Sequence, residues 1–388
     1  MLSRIYLDAN AGSPLLPEVR EAMVAALGNA ANASSIHAEG RQARLLVEDA
    51  RAEVAKAVGA KPENVIFTSG ATEAAALALT PELMSDRRRI RAGRLYVGAT
   101  EHPCVLAGGR FPPETVTRLP VESSGCIDRP ALAAALEHHD ETDGVPYLAL
   151  MLANNETGVI HPVAEAARML KARGGAVFCD AVQALGRIPV DIGGLGVDFL
   201  ALSAHKLGGP QGAGALILAN EALRPAPLLT GGGQERRHRA GTENVTAIVG
   251  FGVAARHAVH HLSDMGRMAA LRAELERQIL SVSPEAKKII GGDTERLANT
   301  TLFAVPGLSA ETAVIAFDLE GIAVSAGSAC SSGKVGASHV LEAMGEPLDM
   351  ARSGVRVSLT GAATAADVEA FALAWRAIYQ RMRQSRAA

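Results

Sequence analysis

From Val65 to Leu218 the chain repeats one rhythm: a short apolar run, a polar turn, then a helical segment. Val65-Ile66-Phe67-Thr68 runs into Ser69-Gly70-Ala71-Thr72-Glu73 and the Ala-rich helix Ala74 to Leu79, and Leu95-Tyr96-Val97 ends at Thr100-Glu101-His102-Pro103. Val116 to Leu119 precedes a helix near Pro130 to Glu137; Tyr147 to Leu152 ends at Asn154-Asn155-Glu156-Thr157-Gly158, and Ala176 to Cys179 at Asp180. Phe199 to Leu202 leads to Ser203-Ala204-His205-Lys206 and then Gly208-Gly209-Pro210, a run that neither a helix nor a central strand accommodates. Ala213 to Leu218 continues the sheet. Strands apolar throughout and alternating with helices predict an α/β fold with a mostly parallel sheet buried on both faces. The carboxyl ends of such strands share one edge, so Thr72, His102, Asn155, Asp180 and Lys206 are expected to meet in one crevice.

The flanks read differently. Ile5 to Leu7 is a short strand, Asp8 to Pro14 a turn, and Pro17 opens a helix through about Leu27. A second helix, about Arg41 to Val58, carries Leu46, Val47, Ala50, Val54 and Val58 on one stripe. A long helical region from about Asn244 to Ser281 leads into an α+β section with strands at Thr300 to Val305 and Val355 to Leu359. The closing helix puts Val368, Phe371, Ala372, Trp375, Ile378 and Tyr379 on one face, with Thr364 and Asp367 at capping spacing. A domain boundary is expected near residue 260.

Composition narrows the function. A net charge of −3 and pI near 6.4 give no reason to expect nucleic acid or an anionic membrane as partner. The one basic run, Arg87-Arg88-Arg89 with Arg91, reads as a solvated loop or helix end. Four cysteines (Cys104, Cys126, Cys179, Cys330) without a C-x-x-C pair predict neither a disulfide framework nor a metal site and suit a reducing cytosol. Met1-Leu2-Ser3-Arg4 running straight into Ile5-Tyr6-Leu7-Asp8 predicts no signal peptide, and no apolar run is long enough for a bilayer. The expectation is a soluble, cytoplasmic protein.

The residues at the strand ends suit an anionic, electron-withdrawing aldehyde cofactor. Lys206 can form an imine, since partial desolvation frees its amine, although most lysines are solvated surface residues. Asp180 can keep a ring nitrogen protonated; it reads equally as an N-cap before Ala181-Val182-Gln183. Ser-Gly-Ala-Thr at a strand–helix junction offers N–H groups and the Thr72 hydroxyl to a phosphate, or is an ordinary capped turn. Ser203 and His205 add donors. His102 can stack on a ring or move protons, or be structural. Cys330, in Gly327-Ser328-Ala329-Cys330-Ser331-Ser332-Gly333, sits among small polar residues and reads as an exposed thiolate nucleophile; Cys104, Cys126 and Cys179 read as structural or incidental. Arg356, on a strand, can hold a carboxylate or make an outward salt bridge.

Taken together these motifs resemble the cysteine desulfurases, the NifS-like group of the class V aminotransferase family, within the fold-type I pyridoxal-phosphate enzymes. Leu7-Asp8, Asn32 to His37, Ser69 to Glu73, Thr100 to His102, Asn154 to Gly158, Asp180 to Gln183, Ser203 to Lys206, Gly231 to Asn244, Gly327 to Ser332 and Arg356 to Leu359 carry the resemblance. It implies a large cofactor domain over 15–260 built on a mixed, mostly parallel seven-stranded sheet. A smaller α+β C-terminal domain over 261–388 would carry the Cys330 loop, and residues 1–14 would pack with it.

The resemblance further implies that Lys206 carries pyridoxal 5'-phosphate as an imine, that Asp180 pairs with its ring nitrogen and that His102 covers the ring. Asn155 and Gln183 would lie near its hydroxyl; Ala71, Thr72, Ser203 and His205 would hold the phosphate, and Thr242 would reach the phosphate of the other subunit of a homodimer. Arg356, with Asn155, would bind L-cysteine, and Cys330 would take its sulfur for a sulfur-acceptor protein in iron–sulfur cluster or thio-cofactor assembly. Departures are Ala75-Ala76, Gly12-Ser13, Ala33 and Thr360, none of which removes a catalytic group. A selenocysteine lyase or related β-lyase is the nearby alternative; a non-catalytic sulfur-transfer scaffold is the alternative of another class.

Overall fold

The computed structural model describes residues 4–29, 31–85, 88–283, 288–327 and 336–387; Cys330 lies outside them. In chain order the strands are β1 Ile5–Tyr6, β2 Val65–Thr68, β3 Glu82–Ser85, β4 Arg88–Gly98, β5 Val116–Leu119, β6 Val145–Ala149, β7 Ala176–Asp180 and β8 Phe199–Ser203. They continue with β9 Gly214–Leu218, β10 Leu223–Pro225, β11 Lys288–Ile289, β12 Thr300–Ala304, β13 Ile322–Ala323, β14 Ser325–Ala326 and β15 Gly354–Ser358.

The main sheet runs β5-β4-β6-β7-β8-β9-β2. From β5 to β8 every pairing is parallel, and β9 is antiparallel to both its neighbours. Alternate residues of the central strands feed two separate cores. Leu148, Val177, Cys179, Leu200 and Leu202 pack on one face, Tyr147, Ala149, Phe178, Phe199 and Ala201 on the other. Burial on both faces is why these strands read as unbroken apolar runs.

Two further strands extend it: β3 pairs antiparallel with the first part of β4 and β10 antiparallel with β3, bringing the sheet to nine. The arginine run is corrected here: Arg88, Arg89 and Arg91 lie in β4, not in a loop or a helix end. All three are exposed, and Arg91 sits opposite Glu82. A run of cations shows no apolar alternation, so the extension is held by Leu83 and Ile90 and is invisible locally.

The helix Ala38–Ala57 begins earlier than its apolar stripe suggests, because His37 caps it by accepting the N–H of Gly40 at 3.2 Å. The expected long helix from Asn244 is broken into Val245–His260 and Met265–Val282 by a 3₁₀ turn at His261–Asp264, where His261 Nδ1 and Asp264 Oδ2 lie 2.9 Å apart.

A second sheet, β11-β12-β15-β14, is antiparallel throughout, and β1 pairs in parallel with β13. Its core holds Leu7, Phe303, Phe317, Phe371 and Trp375, with the Phe317 and Phe371 rings stacked at 4.9 Å. The closing helix, Ala365–Ala387, starts with a capping box: Thr364 donates through N–H and O–H to Asp367 Oδ2, and Asp367 N–H returns to Thr364 Oγ1. No helix among the described residues is long and apolar enough to cross a membrane.

Candidate active site

The carboxyl ends of β2, β4, β6, β7 and β8 open into a cavity of about 530 Å³. Beyond β8 a 3₁₀ turn, Ala204–Lys206, delivers Lys206 into it. The Lys206 amine donates to the carbonyls of Asn10 and Ala11, the latter at 3.0 Å, and Ser13 Oγ donates to the Lys206 carbonyl at 3.0 Å. The N-terminal turn therefore clasps the lysine from outside the sheet. Asn10 also receives Gln183 Nε2 on its carbonyl and donates from Nδ2 to the Asn155 carbonyl and Thr300 Oγ1.

Asp180 ends β7 and lines the same cavity, and its Oδ1 accepts the N–H of Val182 at 2.9 Å. Burial raises its carboxyl above the usual range, with His102 and Lys206 pulling the other way. His102 follows β4 as the N-cap of the short helix Pro103–Leu106; burial holds its imidazole below the usual range, assisted by Lys206 and His339 and opposed by Asp180. His205 is pushed down to about 4, first by burial and then by Lys206.

Also lining the cavity, Ala71 and Thr72 form the first turn of the helix Ala71–Ala78, and buried Ser203 ends β8. Gly214 lets this turn come close: a Cβ there would stand 2.6 Å from the Gly70 backbone. Arg356 reaches the crevice from the second sheet. It is buried, and donates from Nη2 to Asp8 Oδ1 at 2.8 Å and from Nη1 to the Asn155 carbonyl at 3.1 Å.

Of the residues read from the sequence, Ala71, Thr72, His102, Asn155, Asp180, Gln183, Ser203, His205, Lys206 and Arg356 meet here. Thr242 does not. It is exposed and lines a separate cavity of about 220 Å³ with Ser69 and Glu243. Cys330 lies outside the described residues. Asp8 and Asn10 were assigned no role from the sequence, and Cys104 was read as structural or incidental, yet Cys104 lines the cavity and its Sγ stands 3.0 Å from His102 Nδ1. Its one sequence sign is its place two residues after a histidine that caps a turn.

The donor set fits the aldehyde cofactor expected from the sequence. One amine, one buried carboxylate, the hydroxyls of Thr72 and Ser203 and a helix N-terminus face a common space, and a Cβ at Gly70 would meet nothing within 4 Å. A mostly parallel sheet with a lysine past one strand and a carboxylate ending its neighbour defines the fold-type I architecture of the pyridoxal-phosphate enzymes.

The aminotransferase class-V model matches residues 5–371, and the chain belongs to that family. It is 40% identical over 375 residues to a cysteine desulfurase of Cereibacter sphaeroides, covering 95% of this chain and 94% of that protein. It is 42% identical over 382 residues to a cysteine desulfurase of Frankia sp. (strain EuIK1), covering 94% and 88%. The solved NifS-like protein from Rickettsia africae ESF-5 superposes with a TM-score of 0.87 at 34% identity, covering 97% of this chain and 99% of that one.

Proposed function

We propose that the chain is a cysteine desulfurase: it takes L-cysteine to L-alanine and passes the sulfur to Cys330 as a persulfide, with pyridoxal 5'-phosphate as cofactor. The observation that carries this reading is one crevice holding Lys206, Asp180 and His102 at strand ends, with Arg356 entering from the second sheet. Bound there, the cofactor supplies an electron-accepting ring that takes up the electron pair left when the substrate's α-C–H bond breaks.

The chain's own groups do the rest. Lys206 holds the cofactor and then moves the α-proton, with His102 covering the ring. The Asp180 carboxylate holds a proton on the ring nitrogen. Ala71, Thr72, Ser203 and His205 hold the phosphate, and Asn155 and Gln183 stand at the ring hydroxyl. Arg356 and Asn155 orient the substrate carboxylate. The Cys330 thiolate attacks the substrate sulfur: an S–S bond forms, the C–S bond breaks, and the carbon left behind takes a proton to become alanine. An acceptor protein then draws the sulfur for iron–sulfur clusters or thio-cofactors, in the cytoplasm.

Residues 15–260 form the cofactor domain and 261–388 the smaller one, with 1–14 packed against it; the turn at His261–Asp264 and the separate aromatic core support this division. The working unit is a homodimer in which Thr242 serves the partner's phosphate. Two observations favour it. Both carboxylate oxygens of buried Glu243 lack a hydrogen-bond partner among the described residues, and Val24, Leu27, Ile36 and Leu45 are exposed.

The test is Cys330→Ser. The variant keeps the yellow colour and binds cysteine but forms no persulfide; undiminished sulfide release would overturn the reading. Turnover of selenocysteine alongside cysteine separates the lyase alternative.

A further inference from the structure

We propose that Cys104 is a positioning residue for His102: its thiol holds the imidazole as the Nε2–H tautomer. The assignment follows from what surrounds one nitrogen. His102 Nδ1 accepts the backbone N–H of Cys104 at 3.3 Å, so it carries no proton of its own. Cys104 Sγ stands 3.0 Å from the same nitrogen. A second partner of an unprotonated nitrogen must donate, so the sulfur is a thiol with its hydrogen toward Nδ1.

The thiol's own surroundings agree. Burial pushes it up to about 12, with Asp180 and Glu101 adding to the rise, so it keeps its hydrogen at neutral pH. Cys104 and His102 line one cavity with Thr72, so the linked pair faces the crevice. That the imidazole faces a cofactor ring rests on the function proposed above; the tautomer itself does not.

Fixing Nδ1 as an acceptor leaves Nε2 as the only ring nitrogen with a proton to give. Any proton that His102 moves therefore passes through Nε2. Protonating Nδ1 would cost both bonds from residue 104, which favours the neutral ring. The other ionisable groups acting on the imidazole are Asp180, which favours its charged form, and Lys206 and His339, which disfavour it.

The experiment is NMR of the full-length protein with isotope-labelled histidine rings, comparing the parent with Cys104→Ala and Cys104→Ser, and with Cys104→Val as a donor-free variant of similar volume. Loss of the donor should raise the His102 ionisation by roughly half a unit to one unit and mix its tautomers. Cys104→Ser, which keeps a donor, should stay near the parent. The acid limb of the kcat–pH profile should follow the same order. An unchanged tautomer and ionisation in folded Cys104→Ala and Cys104→Val would overturn the proposal. Failure of the parent to take up pyridoxal 5'-phosphate or turn over cysteine would instead sink the proposed function and leave the tautomer assignment standing.

Discussion

Arg356 Nη2 and Asp8 Oδ1 meet at 2.8 Å although 348 positions separate them in the chain. The arginine side chain is 2% exposed and its aspartate 15%, so the pair is largely withdrawn from water. Ser325 Oγ donates to the other carboxylate oxygen, fixing the plane in which the guanidinium lies. An arginine held this way is presented to the crevice rather than searching for a partner.

Removing one member of a buried pair strands the other's charge. Asp8→Ala should therefore lower stability by about 3 kcal/mol in urea unfolding and raise KM for cysteine. A variant as stable as the parent would mean that Arg356 finds a second acceptor.

A second buried pair pins the segment that carries Thr242. Arg51 donates to both oxygens of Glu235 at 2.7 and 2.9 Å, stands 4.8 Å from the Phe67 ring centroid, and Glu235 also accepts the Phe67 N–H. Both side chains are 2% exposed. Glu235→Gln removes the charge but not the volume, and should cost roughly 3 kcal/mol by the same unfolding measurement.

Glu156 predicts a pH dependence. Burial pushes its carboxyl from 4.5 up to about 7, with the Ser338 hydrogen bond and Arg356 opposing. The folded chain thus binds more protons than the unfolded one between those values, so this group's contribution is complete below 4.5 and is lost as pH rises through about 7. Glu156→Gln should flatten the dependence of Tm on pH in that window and gain most over the parent at its alkaline end. Scanning calorimetry across the window checks this; parallel Tm–pH curves would refute it.

Gly214 allows a test that touches no polar group. A Cβ at this position meets backbone atoms of Gly70 at 2.6 Å, and backbone cannot swing aside as a side chain can. Gly214→Ala should displace the turn before Ala71 and weaken uptake of pyridoxal 5'-phosphate by about ten-fold or more, a loss on the order of 1.4 kcal/mol. Absorbance titration measures it.

Much of this was legible in the chain itself. The central strands are buried on both faces, so they appear as apolar runs, and whatever follows each run must lie on one edge; that places His102, Asp180 and Lys206 together. Thr364 and Asp367 announce a helix start because capping is local. What the sequence hides is long-range. Nothing near Asp8 or Asn10 foretells Arg356, Thr300 or the Lys206 amine, since those meetings depend on how two sheets are set side by side. Glu156 looks like one polar residue in a polar turn until Ser338 arrives from the second sheet's side. The arginines of β4 misread as solvent-facing loop because edge pairing needs no apolar alternation. Cys104 was set aside because a thiol's role depends on its neighbour, and periodicity carries no trace of one.

The turn from Asp8 to Ser13 touches two sides of the crevice: Asp8 grips Arg356, while Asn10, Ala11 and Ser13 grip the lysine and its turn. The Ala9 N–H is bonded to the Ser358 carbonyl, and β1 is stitched to β13. A few residues next to the amino terminus are thus the keystone between amine and guanidinium. Clipping that end would disarm the crevice while leaving every strand that builds it untouched.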